Sequence, residues 1–238
     1  METRRNELAT NLAKVQAEIR EEALAAGRSP EELELVAVSK TYPASDILSL
    51  YALGQRAFGE NRVQELEAKM ADPLLRDLDI NWHLIGSLQT NKAKYVVGQV
   101  DLIHSVHSVK LIRELERQCA RQECTQAILL QVNIAKEASK KGFAKEDLDE
   151  AVAAVKDCPH LHLRGLMCMA PFFEDPTDAY PVFAACQEEF MRLREELGSE
   201  QIRILSMGMS HDYPQAIRAG ATHVRIGSSI FGARDYSK

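Results

Sequence analysis

Apolar residues along the chain fall into eight short runs, most of them continuous rather than alternating with polar residues. Continuous apolar runs are typical of parallel strands that are buried on both faces. The runs cover residues 35–39, 57–59, 82–85, 102–106, 128–134, 163–169, 202–206 and 224–227. Stretches with helical periodicity separate nearly all of them, so the pattern predicts strands that alternate with helices.

The first helical stretch precedes the first strand. Its apolar residues Leu8, Leu12, Val15 and Ile19 share one face, and Gly27 ends a helix that reaches about residue 26. Further helices are expected over 43–53, after the capping residue Ser108, and from Asp175 to Gly198.

Eight strands that alternate with helices indicate a (β/α)₈ TIM barrel of the α/β class, with one extra helix at the N-terminus. A chain of 238 residues suits that fold. The alternative is an open doubly wound sheet, but no strand is followed by a G-x-G-x-x-G sequence. Because no shift in composition marks a linker, residues 1–238 are predicted to form a single domain.

Charge limits the classes of partner. The net charge is −6 and no basic run is longer than the pair Lys140-Lys141, which argues against a nucleic-acid-binding protein. An anionic small ligand stays compatible with this charge, because backbone amides can hold a phosphate locally.

The cysteine and hydropathy patterns indicate the cellular compartment in which the protein is expected. The five cysteines are an odd number and form no C-x-x-C pair, which favours a reducing environment. No stretch has the length and apolar character of a signal peptide or a membrane span. We therefore expect a cytoplasmic protein without a membrane partner.

Lys40 follows the first predicted strand directly, and it has two interpretations. A lysine at the end of a strand usually reaches solvent. A lysine desolvated at the mouth of a barrel has a lowered pKa and can attack a carbonyl group to form an imine. Near a phosphate site, such an amine is typical of a phosphosugar aldolase or of a pyridoxal phosphate protein.

Glycine and serine follow the last two strands, in LSMGMSHD and VRIGSSIFG. Loops after strands seven and eight of a barrel often bind phosphate, although glycine and serine also simply make turns and caps. Arg225 lies within the eighth apolar run. A buried guanidinium needs an acceptor, which is either a neighbouring carboxylate or a ligand at the mouth of the barrel.

Two other sets of residues give weaker signals. His104 and His107 have the spacing of two metal ligands, but no third ligand supports a site, and no metal is predicted. Four methionines near the ends of strands six and seven are predicted to fill the core, although those nearest the strand ends could line a pocket. They are Met167, Met169, Met207 and Met209.

Six blocks of the sequence resemble, in order, the pyridoxal phosphate homeostasis protein family, also called the proline synthase co-transcribed family. The blocks extend from about residue 35 to residue 236, nearly the whole chain. They are VAVSKTYPASDI, FGENRVQE, WHLIGSLQTNKAK, LLQVNIAKEASKKGF, RGLMCMAP and LSMGMSHDYPQAIRAGATHVRIGSSIFGARDY.

The resemblance implies a fold-type III barrel, like the N-terminal domain of alanine racemase, that binds pyridoxal 5′-phosphate (PLP). Lys40 matches the family lysine that holds this cofactor covalently as an internal aldimine. Ser210, Gly227 and Ser228 match the phosphate-binding positions.

Three more residues match positions around the same cofactor. Asn61 and His83 fall in family motifs that line the pocket, and Arg225 matches the arginine that faces the pyridine nitrogen. A charged arginine there disfavours a proton on that nitrogen, which makes the ring a poorer electron sink.

The family has no established catalytic turnover. The resemblance therefore implies a carrier or buffer in PLP and vitamin B6 homeostasis, with PLP-dependent apoenzymes as partners that would receive the cofactor. The alternative is a racemase-like enzyme, which needs a second base. Alanine racemases take that base from another domain, for which this chain is expected to have no length left. The first helix shows no heptad seam, so a monomer is expected.

Overall fold

Eight parallel strands close into a barrel in which each strand pairs with the next along the chain, and the eighth pairs with the first. This computed structural model describes residues 2–137 and 140–232. The closed ring of eight parallel strands confirms the predicted (β/α)₈ barrel. The strands are β1 (Glu34–Val38), β2 (Ala57–Glu60), β3 (Asn81–Leu84), β4 (Leu102–Val106), β5 (Gln126–Val132), β6 (Leu161–Cys168), β7 (Ile204–Met209) and β8 (His223–Ile226).

The helices surround the barrel in chain order. They are α1 (Glu2–Ala25), α2 (Ala44–Tyr51), α3 (Val63–Met70), α4 (Val109–Gln122), α5 (Leu148–Lys156), α6 (Tyr180–Leu197), α7 (Tyr213–Arg218) and α8 (Ser228–Phe231). A 3₁₀ helix, Thr90–Tyr95, stands in place of an α-helix between β3 and β4. Other 3₁₀ turns cover Pro30–Glu32, Lys145–Asp147 and Pro176–Ala179.

The expected extra helix at the N-terminus is confirmed as α1. Its apolar face, including Leu8, Leu12, Val15 and Ile19, is buried. The helix packs against α2, α7 and α8. It therefore covers the barrel where β8 meets β1, a seam that the four-residue α8 is too short to cover.

The seventh strand differs most from its predicted bounds. It runs from Ile204 to Met209, not over 202–206. Gly208 lies inside it with a φ of 87°, in the left-handed region that favours glycine, where the register between β7 and β8 shifts. Ser206 is consequently a buried residue in mid-strand rather than a residue at the strand end.

Parts of two quoted sequence blocks, residues 138–139 and 233–236, lie outside the described residues. Within residues 2–137 and 140–232, no helix has both the length and the apolar character that crossing a membrane requires.

Candidate functional site at the carboxyl ends of the strands

A cavity of about 610 Å³ opens at the carboxyl ends of the strands, within the size range of small-molecule sites. It brings together six of the seven residues that the sequence predicts for the site; the exception is His83. Its lining consists of Val38, Lys40, Asn61, Ile85, Gly86, Ser87, Gln131, Lys140, Lys141, Met169, Met209, Ser210, His211, Arg225, Gly227 and Ser228.

Lys40 stands at the edge of the cavity because β1 ends two residues before it. It is half-buried, whereas the four residues before it are fully or almost fully buried. Of the two interpretations of Lys40, this position favours an amine that contacts a cavity over one that only reaches bulk solvent.

The lining of the cavity is cationic. Lys40, Lys140, Lys141 and Arg225 all contribute to it, and no carboxylate is among the lining residues in the described part of the chain. The chain as a whole carries a net charge of −6. The surface of this cavity is thus positively charged in a chain of negative net charge, which suits an anionic ligand.

Arg225 lies in β8 and is 4% exposed. Its guanidinium donates hydrogen bonds to Ser206 Oγ at 2.5 Å and to the Cys168 carbonyl oxygen at 3.0 Å. Among the described residues it forms no ion pair with a carboxylate. Neutral acceptors therefore fix its orientation and leave its charge directed at the cavity.

Ser210, Gly227 and Ser228 lie together at the ends of β7 and β8. The Gly227 amide donates to Ser210 Oγ over 3.2 Å, which ties the two loops to each other. A Cβ atom on Gly227 would lie 3.3 Å from the Val38 carbonyl oxygen. Glycine at this position therefore keeps the end of β8 close to β1.

Asn61 follows β2, and its Oδ1 is buried without a hydrogen-bond partner among the described residues. A buried acceptor without a partner is uncommon and costs free energy, and a donor on a bound molecule would satisfy it. Gly86 packs directly against the same backbone, since a Cβ there would lie 2.1 Å from the Asn61 carbonyl oxygen.

His83 is placed away from the cavity lining, in contrast to the sequence-based expectation. It lies in β3, nearer the start of the strand than the lining residues Ile85 and Gly86. Its Nδ1 is 2.8 Å from His104 Nε2, and His104 Nδ1 is 2.9 Å from Ser206 Oγ. His83 is therefore part of a buried chain of hydrogen bonds that leads to Arg225.

Burial keeps these histidines neutral. Desolvation, together with a smaller effect of the nearby His223, lowers the pKa of His83 to about 3. Desolvation also holds the pKa of His104 well below its usual value, with His83 and Arg225 adding to the effect. A neutral imidazole donates through one ring nitrogen and accepts through the other, so such a chain of hydrogen bonds forms without burying further charge.

Sequence reasoning missed several lining residues, above all Gln131, Lys140, Lys141 and His211. Two signals were available: Gln131 interrupts the apolar run of β5, and Lys140 and Lys141 form a pair of adjacent basic residues. The expectation for the methionines is confirmed. Met169 and Met209 line the cavity, whereas the other two are buried in the core.

The two histidines with metal-ligand spacing separate in the structure. His104 is buried inside the barrel, and His107 bonds through Nδ1 to the Ser105 carbonyl oxygen. Across residues 2–137 and 140–232, no group of three or more His, Cys, Asp or Glu side chains is arranged to hold a metal ion.

Comparison with known proteins agrees with this geometry. Residues 9–235 match the sequence model of the family described as alanine racemase, N-terminal domain. A pyridoxal phosphate homeostasis protein of Pseudomonas aeruginosa is 46% identical over 231 residues, which cover 96% of each chain. The protein of that name from Escherichia coli K12 is 42% identical over 98% of this chain and 99% of its own length.

Solved structures agree as well. The structure of PipY from Synechococcus elongatus with PLP bound is 36% identical and superposes with a TM-score of 0.80 over 94% of this chain and all of its own. An alanine racemase of Clostridium difficile, at 14% identity and a TM-score of 0.69, shares the fold alone, and this chain covers 56% of it. By its full-length relatives, its matching domain and its barrel, the chain belongs to the pyridoxal phosphate homeostasis protein family.

Proposed function

We propose that this protein binds pyridoxal 5′-phosphate in the cavity at the carboxyl ends of the strands and acts in PLP homeostasis as a carrier or buffer. The observation that carries the proposal is the cationic lining without a carboxylate, in a chain of net charge −6. Such a lining suits a phosphate dianion. The names of the full-length relatives and PipY's structure with PLP support the same ligand.

Lys40 is the residue that would hold the cofactor covalently. The Lys40 amine would condense with the aldehyde of the cofactor, releasing one water as a C=N bond replaces the C=O bond. Hydrolysis reverses the reaction and returns both partners unchanged, as a carrier requires. The position of Lys40 at the edge of an open cavity supports this role.

The other predicted residues would hold the non-reacting groups. Ser210, Gly227 and Ser228 would bind the phosphate with hydroxyl and amide donors. Asn61 Oδ1 would accept a hydrogen bond from the bound molecule. Arg225 would face the ring, where its permanent charge disfavours a proton on the ring nitrogen.

A non-catalytic role is favoured over a racemase-like one. When bound, PLP acts as an electron sink for amino-acid chemistry, and a charged Arg225 beside the ring would weaken that property, which fits a racemase-like or a non-catalytic role better than transamination. Two-base racemisation also needs a second base opposite Lys40. No tyrosine is among the lining residues in the described part of the chain.

Four further expectations stay predictions. They are a cytoplasmic location, a single domain over 1–238, a monomer, and PLP-dependent apoenzymes as recipients of the cofactor. His83 is proposed to act on the cofactor only through the hydrogen bonds that lead to Arg225.

Borohydride reduction tests the proposal. Wild-type protein loaded with PLP is reduced, digested and analysed by mass spectrometry, together with Lys40→Ala and with Lys94→Ala as a control for an exposed lysine outside the cavity. We expect the added mass on the Lys40 peptide in the wild type and in the control. An added mass on a different peptide in the wild type would overturn the assignment.

Chiral chromatography separates carrier from racemase. Protein and PLP are incubated with L-alanine and other amino acids for long periods, and free PLP serves as the background. We expect no racemisation above that background. Turnover above it that disappears in Lys40→Ala would establish the enzymatic alternative.

A further inference from the structure

A buried ion cluster lies behind the end of β1. Lys69 of α3 is 7% exposed and Glu60 of β2 is fully buried. Lys69 Nζ donates to Glu60 Oε1 at 2.6 Å and to Glu65 Oε1 at 2.8 Å. It also donates to the Ser39 carbonyl oxygen at 2.7 Å. All three protons of the ammonium group are thus used, one of them on the backbone of β1.

The contacts of this cluster reach both chain neighbours of Lys40. On one side, Ser39 Oγ donates to Glu60 Oε1 at 2.6 Å. On the other side, the Thr41 amide donates to Glu65 Oε1 at 2.5 Å. Both peptides that flank Lys40 are therefore bonded to the cluster of Lys69, Glu60 and Glu65.

The backbone after Lys40 is strained. Thr41 has a φ of 70°, a left-handed conformation that a β-branched residue rarely adopts. Such a conformation persists only where surrounding contacts hold it. The hydrogen bond from the Thr41 amide to the ion-paired Glu65 carboxylate is such a contact, and hydrogen bonds to charged acceptors are among the stronger ones.

We propose that Lys69, Glu60 and Glu65 are positioning residues for Lys40: they clamp the peptides on both sides of it, and so direct its amine into the cavity. The reactive role of Lys40 rests on the proposed function, whereas the clamp rests only on these contacts. Lys69 itself touches no cofactor.

Stability alone is a poor explanation for the cluster. Removing ions from water is costly, and apolar side chains of similar volume often stabilise a core as well or better. The cost is visible at Glu60, where desolvation raises the pKa although Lys69 and Ser39 oppose the shift. What apolar side chains cannot provide is directed hydrogen bonding to two successive peptides.

Glu65→Ala is the variant that tests the clamp, because Glu65 is partly exposed and its loss leaves the buried pair of Lys69 and Glu60 intact. Glu67→Ala is the matched control, on the same helix and equally half-buried. Glu65→Gln keeps an oxygen that can accept the Thr41 amide, and it is the conservative variant.

Two measurements on the protein without cofactor provide the readout. The first is hydrogen exchange at the Thr41 amide by NMR. The second is the rate at which an amine-acylating reagent modifies Lys40, followed by mass spectrometry of its peptide. Thermal unfolding is recorded for all variants, so that a local change is distinguished from a general loss of stability.

In Glu65→Ala we expect the Thr41 amide to exchange its hydrogen at least roughly tenfold faster than in the wild type, because it loses one hydrogen bond to a charged acceptor. We also expect a change in Lys40 acylation of roughly tenfold, since small displacements of a reacting group have effects of this order. Glu65→Gln should retain most of both wild-type values, and Glu67→Ala all of them.

Wild-type exchange and acylation in Glu65→Ala would overturn the clamp. So would a change of equal size in Glu67→Ala. Neither result depends on where PLP binds. If borohydride trapping instead finds the cofactor on another lysine, the proposed function fails while the two measurements still decide whether the clamp positions Lys40.

Discussion

The barrel contains two layers of polar side chains, of which the upper one is positively charged and the lower one is neutral. The upper layer is the cavity, where Lys40, Lys141 and Arg225 contribute positive charge beside an open volume. The lower layer is the buried chain of His83, His104 and Ser206, whose members bond to one another. The layers meet where Arg225 donates to Ser206.

The difference shows what each layer can contribute. The lower layer satisfies its polar atoms internally and stays neutral, so it adds order to the interior and holds the arginine. The upper layer leaves an acceptor of Asn61 without a partner among the described residues and places cationic side chains beside an open volume, which suits an anionic ligand. Changes in the lower layer should therefore mainly affect folding, and changes in the upper layer mainly ligand binding.

The largest expected effect is on the pH dependence of stability. The folded-state pKa of His83 is lowered to about 3 and that of His104 lies well below its usual value, while both ionise normally after unfolding. Unfolding below about pH 6.5 therefore takes up protons, and stability falls as the pH falls toward 3. The two histidines together contribute about 3 kcal/mol per pH unit.

Urea unfolding between pH 6.5 and pH 4 measures this slope. In His83→Gln the slope should be smaller by about one proton, roughly 1.4 kcal/mol per pH unit. Equal slopes in the wild type and the variant would show that His83 is already protonated in the folded protein.

His104→Leu should cost about 2–4 kcal/mol, because it leaves His83 Nδ1 buried without its His104 partner and removes one of the two hydrogen bonds of Ser206 Oγ, which keeps the bond from Arg225. Affinity for PLP should change less, since Arg225 keeps its bond to the Cys168 carbonyl oxygen. Denaturant unfolding and a PLP titration measure the two effects. His107→Leu is the control, at a half-buried position beyond the strand end. A large loss of affinity with unchanged stability in His104→Leu would contradict the division of roles.

Gly86→Ala should cost about 1–3 kcal/mol, because the added methyl group meets the Asn61 backbone and displaces the end of β3. Thermal unfolding and PLP titration should both respond, since Asn61 lines the cavity. Ser87→Ala is the matched control at the next position. If Gly86→Ala is as stable as this control, the close approach of the two loops is not required.

Lys141→Ala should have the smallest effect. Lys141 is exposed and bonds to Ser87 Oγ at 2.9 Å, so we expect stability to change by less than about 0.5 kcal/mol. Affinity for PLP should fall roughly two- to fivefold, and less at high salt, as for an exposed charge pair. A titration at low and high salt measures this. Unchanged affinity at low salt would remove Lys141 from the cationic surface that attracts the anion.

Much of the fold and part of the site could be predicted from the sequence. The eight apolar runs led to the barrel, and glycine and serine after the last two runs marked the meeting point of Ser210 and Gly227. The register shift at Gly208 could not be read from the apolar pattern, so the end of β7 was predicted three residues early. Ser206 therefore changed from a strand-end residue into the link between the two layers.

The sequence by itself determined the order of the strands and the residues at their carboxyl ends, because local periodicity and turn chemistry depend on near neighbours. Only the tertiary structure decided how deep in the barrel each side chain lies and which residues it contacts. Both faces of a barrel strand are buried, so hydropathy does not distinguish the interior of the barrel from its helical shell, and strand tilt sets the layer that a side chain joins. This is why His83 lies among histidines below the cavity, and why Lys69, 29 residues after Lys40, holds the backbone beside it.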